Sequence, residues 1–343
     1  MSEIEPPNHG HVRWLSAPLT TPNPNAFLTG SLRLFHGLHR CAGLASLGRM
    51  NLLITASIRS GDLLDHYRVE SLVATGGMAS IFRATDTKTG RPVAIKIPHP
   101  EKVGDPLVRD CFHHETEIAR KFDHPGLVKV LPTDGASHRY AVMEWVDGRL
   151  LQEIIDDQEK LPIERAVRIT LAICDALEHI HGHGVVHLDL KPGNVMVDEE
   201  DNIKLIDFGI ARKTKVNLWK RARLMEAMGT PDYVSPEQIK GKRSDARSDV
   251  YSLGVMLFEM LTGEVPFSGL DPLTAMNLRL FVDPPPPCEI NPDISPRLQA
   301  IVHRALARDR SNRYASAREF ASSLSESLTQ EIAAQPLESL ANV

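Results

Sequence analysis

Two short runs of branched apolar residues, Val195–Val197 and 203–206, flank the polar stretch 198–202. That alternation of apolar run, turn material and apolar run is the signature of a β-hairpin. A hairpin brings its two open ends together. Asn194, just before the first run, and Asp207, just after the second, are therefore predicted to emerge side by side. An amide oxygen and a carboxylate so placed are hard ligands suited to Mg²⁺. Asp189 lies on the approach to the same hairpin. One element thus presents a candidate base and two candidate metal ligands to one point in space.

The bulk properties bound what surrounds this hairpin. A chain of 343 residues holds one large domain or two small ones, with ample core. A net charge of −5 gives no hint of nucleic acid or membrane affinity, so neither is expected as a partner. Cys41, Cys111, Cys174 and Cys288 are far apart, without metal-type spacing, and read as unpaired thiols of a reducing compartment. The longest strongly apolar segment, 250–261, is too short to span a bilayer and reads as a buried helix. No transmembrane segment and a cytoplasmic location are the expectation.

Residues 6–61 contain no Asp or Glu but carry five arginines. Their first part, with Pro18, Pro22 and Pro24, has the composition of a disordered segment. Three readings stay open: a mis-assigned start with Met50 the true one, a regulatory arm, or a transit peptide.

The hairpin is embedded in His187-Leu188-Asp189-Leu190-Lys191-Pro192-Gly193-Asn194 and is followed by Asp207-Phe208-Gly209. These motifs, in this order, resemble the catalytic loop and metal-binding motif of protein kinases, in particular the bacterial eukaryotic-like (Hanks-type) Ser/Thr kinases. The resemblance covers roughly residues 65–325 and implies an α+β, two-lobed protein kinase-like fold. It implies a small lobe of antiparallel sheet with one key helix (65–143), a hinge (144–148) and a larger, mainly helical lobe (149–325). Residues 1–64 would be an N-terminal extension and 326–343 a C-terminal tail.

Upstream, two strand-like runs flank Ala74-Thr75-Gly76-Gly77-Met78-Ala79. Taken alone this is an ordinary hairpin turn. The kinase resemblance makes it the loop over the nucleotide phosphates, with Ala74 and Ala79 standing where the outer glycines usually are. Val73 before the loop and Ile81 after it would then line the nucleotide site. Val93-Ala94-Ile95-Lys96 matches a kinase strand motif. Strand alternation puts Val93, Ile95 and Ile97 on one face, Ala94 and Lys96 on the other. A lysine at a strand centre needs a partner if buried.

That partner is sought on a helix around 108–122, where Glu115 shares a face with Ile118, Ala119 and Phe122 while Glu117 points about 200° away. Glu115 is chosen and Glu117 is left as a solvated charge. The strand 140–143 leads into the hinge, where the resemblance implies Met143 at the back of the pocket and backbone groups of Glu144 and Val146 on adenine. His179, His181 and His183, near the end of a helix over 163–181, are read as surface histidines with no metal role.

The resemblance implies that ATP and Mg²⁺ are used and that the γ-phosphoryl group passes to Ser or Thr hydroxyls of a protein substrate. Asp189 would act as base, Lys191 would stabilise the migrating group, Lys96 and Glu115 would anchor the phosphates, and Asn194 with Asp207 would hold the metal. Gly229-Thr230-Pro231 through Ser235-Pro236-Glu237 resembles the substrate-docking segment, with Thr230 at the acceptor. Glu237 would pair with Arg313, and Asp249 with the catalytic-loop backbone. Where loop-phosphorylated kinases carry Arg before the catalytic Asp, this chain has Leu188, and 210–228 holds one hydroxyl, Thr214. Activity independent of loop phosphorylation is therefore expected. The basic residues Arg212, Lys213, Lys215, Lys220, Arg221 and Arg223 read either as a solvated loop or as a dock for an acidic partner. A pseudokinase scaffold is the alternative from another class.

Overall fold

The computed structural model describes residues 58–77, 79–99, 106–133, 140–207 and 231–334. Its first part is a six-stranded antiparallel sheet built from β1 (Leu63–Leu64), β2 (Tyr67–Thr75), β3 (Ala79–Asp86), β4 (Pro92–Pro98), β5 (Val130–Leu131) and β6 (Ala141–Glu144). Their order is β1-β2-β3-β4-β6-β5, with helix α1 (Pro106–Ala119) between β4 and β5 in the chain. The predicted alternation holds on β4. Val93, Ile95 and Ile97 are buried with Val69, Phe82, Ala84, Tyr140 and Val142 in a core of their own. Ala94 and Lys96 face the other way, toward the second lobe.

The sheet starts ahead of the expected boundary at 65. Leu63 and Leu64 pair with Arg68 and Tyr67, and the Gly61 N–H bonds the Val69 carbonyl. The C-terminal boundary at 325 also falls inside an element, because the last helix runs Ala317–Ala334.

A short hinge leads to β7 (Arg149–Leu150), which joins β8 (Val195–Val197) and β9 (Ile203–Leu205) in a three-stranded sheet. Gly148 is needed at this junction, since a Cβ there would sit 2.6 Å from the Val197 carbonyl oxygen. Among the described residues the remaining main elements are helices: α2 (Leu151–Gln158), α3 (Ile163–Gly182), α4 (Pro236–Ile239), α5 (Ala246–Thr262), α6 (Pro272–Phe281), α7 (Pro287–Ile290), α8 (Pro296–Ala305) and α9 (Ala317–Ala334).

The 250–261 run is the centre of α5, a helix apolar on every side and buried on every side. Asp245 accepts the Arg247 N–H at its start, and left-handed Gly263 closes its end. A Cβ on Gly263 would meet the Glu159 carbonyl oxygen at 2.3 Å, so the turn after α2 and the end of α5 approach only because that residue is glycine. Among the described residues, no helix is long and apolar enough to cross a membrane.

Candidate functional site

The hairpin forms in the register its apolar runs require: Val195 opposite Leu205, Met196 opposite Lys204, Val197 opposite Ile203. Asp198 closes the turn, accepting backbone N–H groups of Glu200 and Asn202 at 3.1 and 2.8 Å. At the open end the Ile206 N–H bonds the Asn194 carbonyl at 3.0 Å. That bond keeps Asn194 beside the approach to Asp207.

Asn194 Nδ2 donates to the Asp189 carbonyl at 2.8 Å and to Asp189 Oδ2 at 3.2 Å, and Lys191 Nζ reaches the same Oδ2 at 2.9 Å. The donor end of the Asn194 amide is thus committed to Asp189, and its oxygen is the end a metal would use. Asp189, Lys191 and Asn194 form one interlocked group.

Across the cleft, Lys96 Nζ lies 2.7 Å from Glu115 Oε1 and 3.0 Å from Asp207 Oδ1. Glu117 is exposed, as its place on the helix requires. The helix ends at Ala119 rather than 122, yet Phe122 is still buried, on the turn beyond. Burial works against the lysine's charge, but the two carboxylates outweigh it and hold Lys96 above its ordinary pKa. Glu115 is raised, by burial and by the neighbouring Asp207. Asp207 is lowered despite burial, because Lys96 faces it. Two carboxyl groups crowd one ammonium, and that crowding is part of what raises Glu115. The carboxyl oxygens of Asp207 and the amide oxygen of Asn194 are the donor types a divalent cation with oxygen preference would take.

The register β3–β4–β6 puts Ile81, Ala94, Lys96 and Met143 on one face, with Ile81 opposite Lys96 and Ala94 opposite Met143. Val146 is half-buried just beyond. The loop is shorter than expected. Ala74 and Thr75 belong to β2, paired with Ile81 and Ser80, and β3 starts at Ala79, whose carbonyl accepts the Gly76 N–H at 2.9 Å. Only Gly76, Gly77 and Met78 lie between the strands, and Met78 is outside the described residues. A register shift between Leu72 and Ala74 accompanies the exposure of Val73, 51%. At the hinge the Glu144 N–H bonds the Lys129 carbonyl, so the carbonyl of Glu144 is the backbone group it can offer a nucleotide.

Beneath the catalytic loop, fully buried Asp249 accepts the N–H groups of His187 and Leu188, each at 2.8 Å, as expected. His181 Nε2 is 2.7 Å from the same carboxylate, so reading it as a surface histidine was wrong. The three histidines part company: the His179 and His183 rings, four residues apart, lie 4.7 Å from each other, while His181 turns inward. No sequence signal connects His181 to an acid more than sixty residues away.

Leu188 sits at φ +67°, a strained conformation for a leucine. Asp249 holds its N–H, and Gln238 Nε2 donates to its carbonyl at 2.9 Å. Gln238 is itself gripped by Ser235, whose Oγ donates to Gln238 Oε1 at 2.8 Å. The Ser-for-Ala departure therefore has a structural use. Arg313 meets Glu237 in a two-pronged pair at 2.9 and 2.8 Å, as expected.

A further contact was missed: Lys204 Nζ to the hinge carboxylate of Glu144, 2.6 Å. The only hint was a lysine at the centre of an apolar strand. Phe208, Gly209, the basic segment, Thr214 and Thr230 lie outside the described residues.

The family model described as "Protein kinase domain" matches residues 67–325. A probable serine/threonine-protein kinase of Streptomyces coelicolor is 39% identical over 74% of this chain and 38% of its own length. Serine/threonine-protein kinase PknB of Mycolicibacterium smegmatis is 38% identical over 76% of this chain and 43% of its own length. The chain thus spans about two fifths of the curated relatives it matches. The crystal structure of the Mycobacterium tuberculosis PknI kinase domain matches with a TM-score of 0.62 at 26% identity, over 79% of this chain and 99% of that one. Matched over most of its length by the family model and by relatives at this identity, with a two-lobed fold to correspond, the chain belongs to the protein kinase family.

Proposed function

We propose that this protein is an active Ser/Thr protein kinase that transfers the γ-phosphoryl group of ATP to protein hydroxyls. The observation that carries the reading is Lys96 bonded at once to Glu115 and Asp207, facing the interlocked Asp189, Lys191 and Asn194. A scaffold without turnover has no use for that set.

Phosphoryl transfer runs through a loose transition state, so positioning and charge neutralisation supply most of the acceleration. Asp189 orients the acceptor hydroxyl and takes its proton. Lys191, already on the Asp189 carboxylate, is close enough to stabilise the migrating group. Lys96 anchors the phosphates, and Glu115 fixes the lysine. Asn194 and Asp207 would hold Mg²⁺, which supplies charge neutralisation of the phosphates when bound. Ile81, Ala94, Met143 and the hinge backbone receive the base, and Thr230 serves the acceptor side. A protein acceptor is the partner, the basic segment 212–223 is a candidate dock for acidic sequence, and the cytoplasm, where ATP is, is the compartment.

Loop phosphorylation is not required in this reading. Leu188 offers no cation for a phosphate, and its backbone is clamped by Asp249 and Gln238 instead.

Purified protein supplied with radiolabelled ATP and Mg²⁺ is expected to label itself or a generic acceptor on Ser or Thr, and the Asp189→Asn variant is expected not to. Nucleotide binding without Asp189-dependent labelling would replace the kinase by the scaffold. Phosphatase treatment is expected to leave most activity, as is Thr214→Ala.

A further inference from the structure

Helix α6 turns an unusual side inward. Its two buried residues, four apart and so on one stripe, are Ala275 and Arg279. Leu273 and Phe281, which would ordinarily anchor such a helix, are 68% and 71% exposed. Arg279 is instead among the largest fully buried side chains of the chain, and its Nη2 donates to Asp232 Oδ1 at 3.0 Å.

Asp232 lies in the 3₁₀ turn Pro231–Tyr233, immediately after Thr230. The far end of that turn is tied to α5: the Tyr233 hydroxyl donates to Glu259 Oε2 and Ser252 Oγ donates to the Tyr233 carbonyl, each at 2.7 Å. The near end is tied to α6 by the Arg279–Asp232 pair. A displaced Asp232 would break an ion pair whose arginine lies in the protein interior, so the pair resists movement more than a surface contact does.

We propose that Arg279 is a positioning residue for the protein acceptor: through Asp232 it sets where the turn beside Thr230 stands. The inference rests on the kinase reading above, with the acceptor lying against this turn.

The full chain is compared with Arg279→Met, Asp232→Asn, their double variant and Arg279→Lys, using casein as acceptor. Either single change is expected to raise the KM for casein about tenfold, the scale of a misplaced acceptor, while nucleotide affinity stays within about twofold. Arg279→Lys is expected to fall between these and the parent. The double variant, which leaves neither charge behind, is expected to regain the parent's thermal midpoint but not its KM. A KM that returns with the midpoint, or never moves, would overturn the proposal.

Amide hydrogen exchange gives a readout independent of activity. Exchange over 231–235 is expected to accelerate in the single variants while α5 keeps its protection, and unchanged exchange would also overturn the proposal. A parent protein that labels nothing, with the single variants still showing the faster exchange, would reject the kinase reading and leave the tether standing.

Discussion

The cleft cluster of Lys96, Glu115 and Asp207 and the large-lobe pair of Glu237 and Arg313 both withdraw charge from water, yet their charges are balanced in opposite ways. Arg313 is closed: its guanidinium meets both Glu237 oxygens and the carbonyls of Ala307, Arg247 and Arg308. Its partner also accepts the Ser248 hydroxyl at 2.6 Å. Burial would raise Glu237, but Arg313 and Ser248 hold it below the usual carboxylate value. The cleft instead holds one cation for two carboxylates, with Glu115 raised and Asp207 lowered. A closed pair builds structure. A crowded cluster, with one carboxyl raised and the other lowered, is what the proposed metal and phosphate site would use.

Substitutions can break that contrast. Asp207→Asn is expected to reduce phosphoryl transfer at least about 10³-fold, equivalent to about 4 kcal/mol, while the thermal midpoint falls only modestly because Glu115 still pairs with Lys96. A large loss of stability would mean that the cleft cluster is structural too. Glu237→Gln should do the reverse, costing about 3 kcal/mol of folding stability by leaving Arg313 without its counter-charge. Denaturant unfolding measures it, and a midpoint equal to the parent's would show that the carbonyls alone satisfy the guanidinium.

Glu259 sharpens the comparison, being a buried acid with no arginine. Tyr233 and Gln152 donate to it, but burial, helped by Asp156 and Asp232, pushes it up to about 6. The sign is opposite to that of Glu237. A raised acid favours its protonated form in the fold, so this contribution is fully present below pH 4.5 and is lost as pH rises through about 6. Glu259→Gln should remove about 2 kcal/mol of that pH dependence. Parallel pH–stability curves for the two proteins would refute it.

The smallest effect is expected at Glu144–Lys204. Both side chains are about a third exposed, 31% and 28%, so Lys204→Ala should cost no more than about 1 kcal/mol. A larger loss would show that this contact between hinge and hairpin behaves like the closed pair.

Much of the arrangement was legible in the chain because it depends on local pattern. Alternation on β4 assigned Lys96 its face, helical spacing separated Glu115 from Glu117, and two apolar runs around a polar turn brought Asn194 toward Asp207. The length of the loop between β2 and β3 was not legible. Ala74 and Thr75 can extend a strand or join a turn, and pairing with Ser80 and Ile81 decided it. The histidines failed for a different reason, since helical spacing says which residues share a face but not what that face meets.

Motif spacing and apolar periodicity are properties of neighbouring residues, and they carried the resemblance to the family and, through it, the expected order of elements and the proposed residues of the cleft. Three arrangements emerged only from packing: His181 joins Asp249 beneath the catalytic loop, Gln238 and Ser235 hold that loop from the side, and Arg279 lies inside the lobe against Asp232. Each joins polar groups 47 to 68 residues apart, apart from the local Ser235–Gln238 bond. Burial and partnership over such separations are set by how helices and loops pack, which no local pattern encodes.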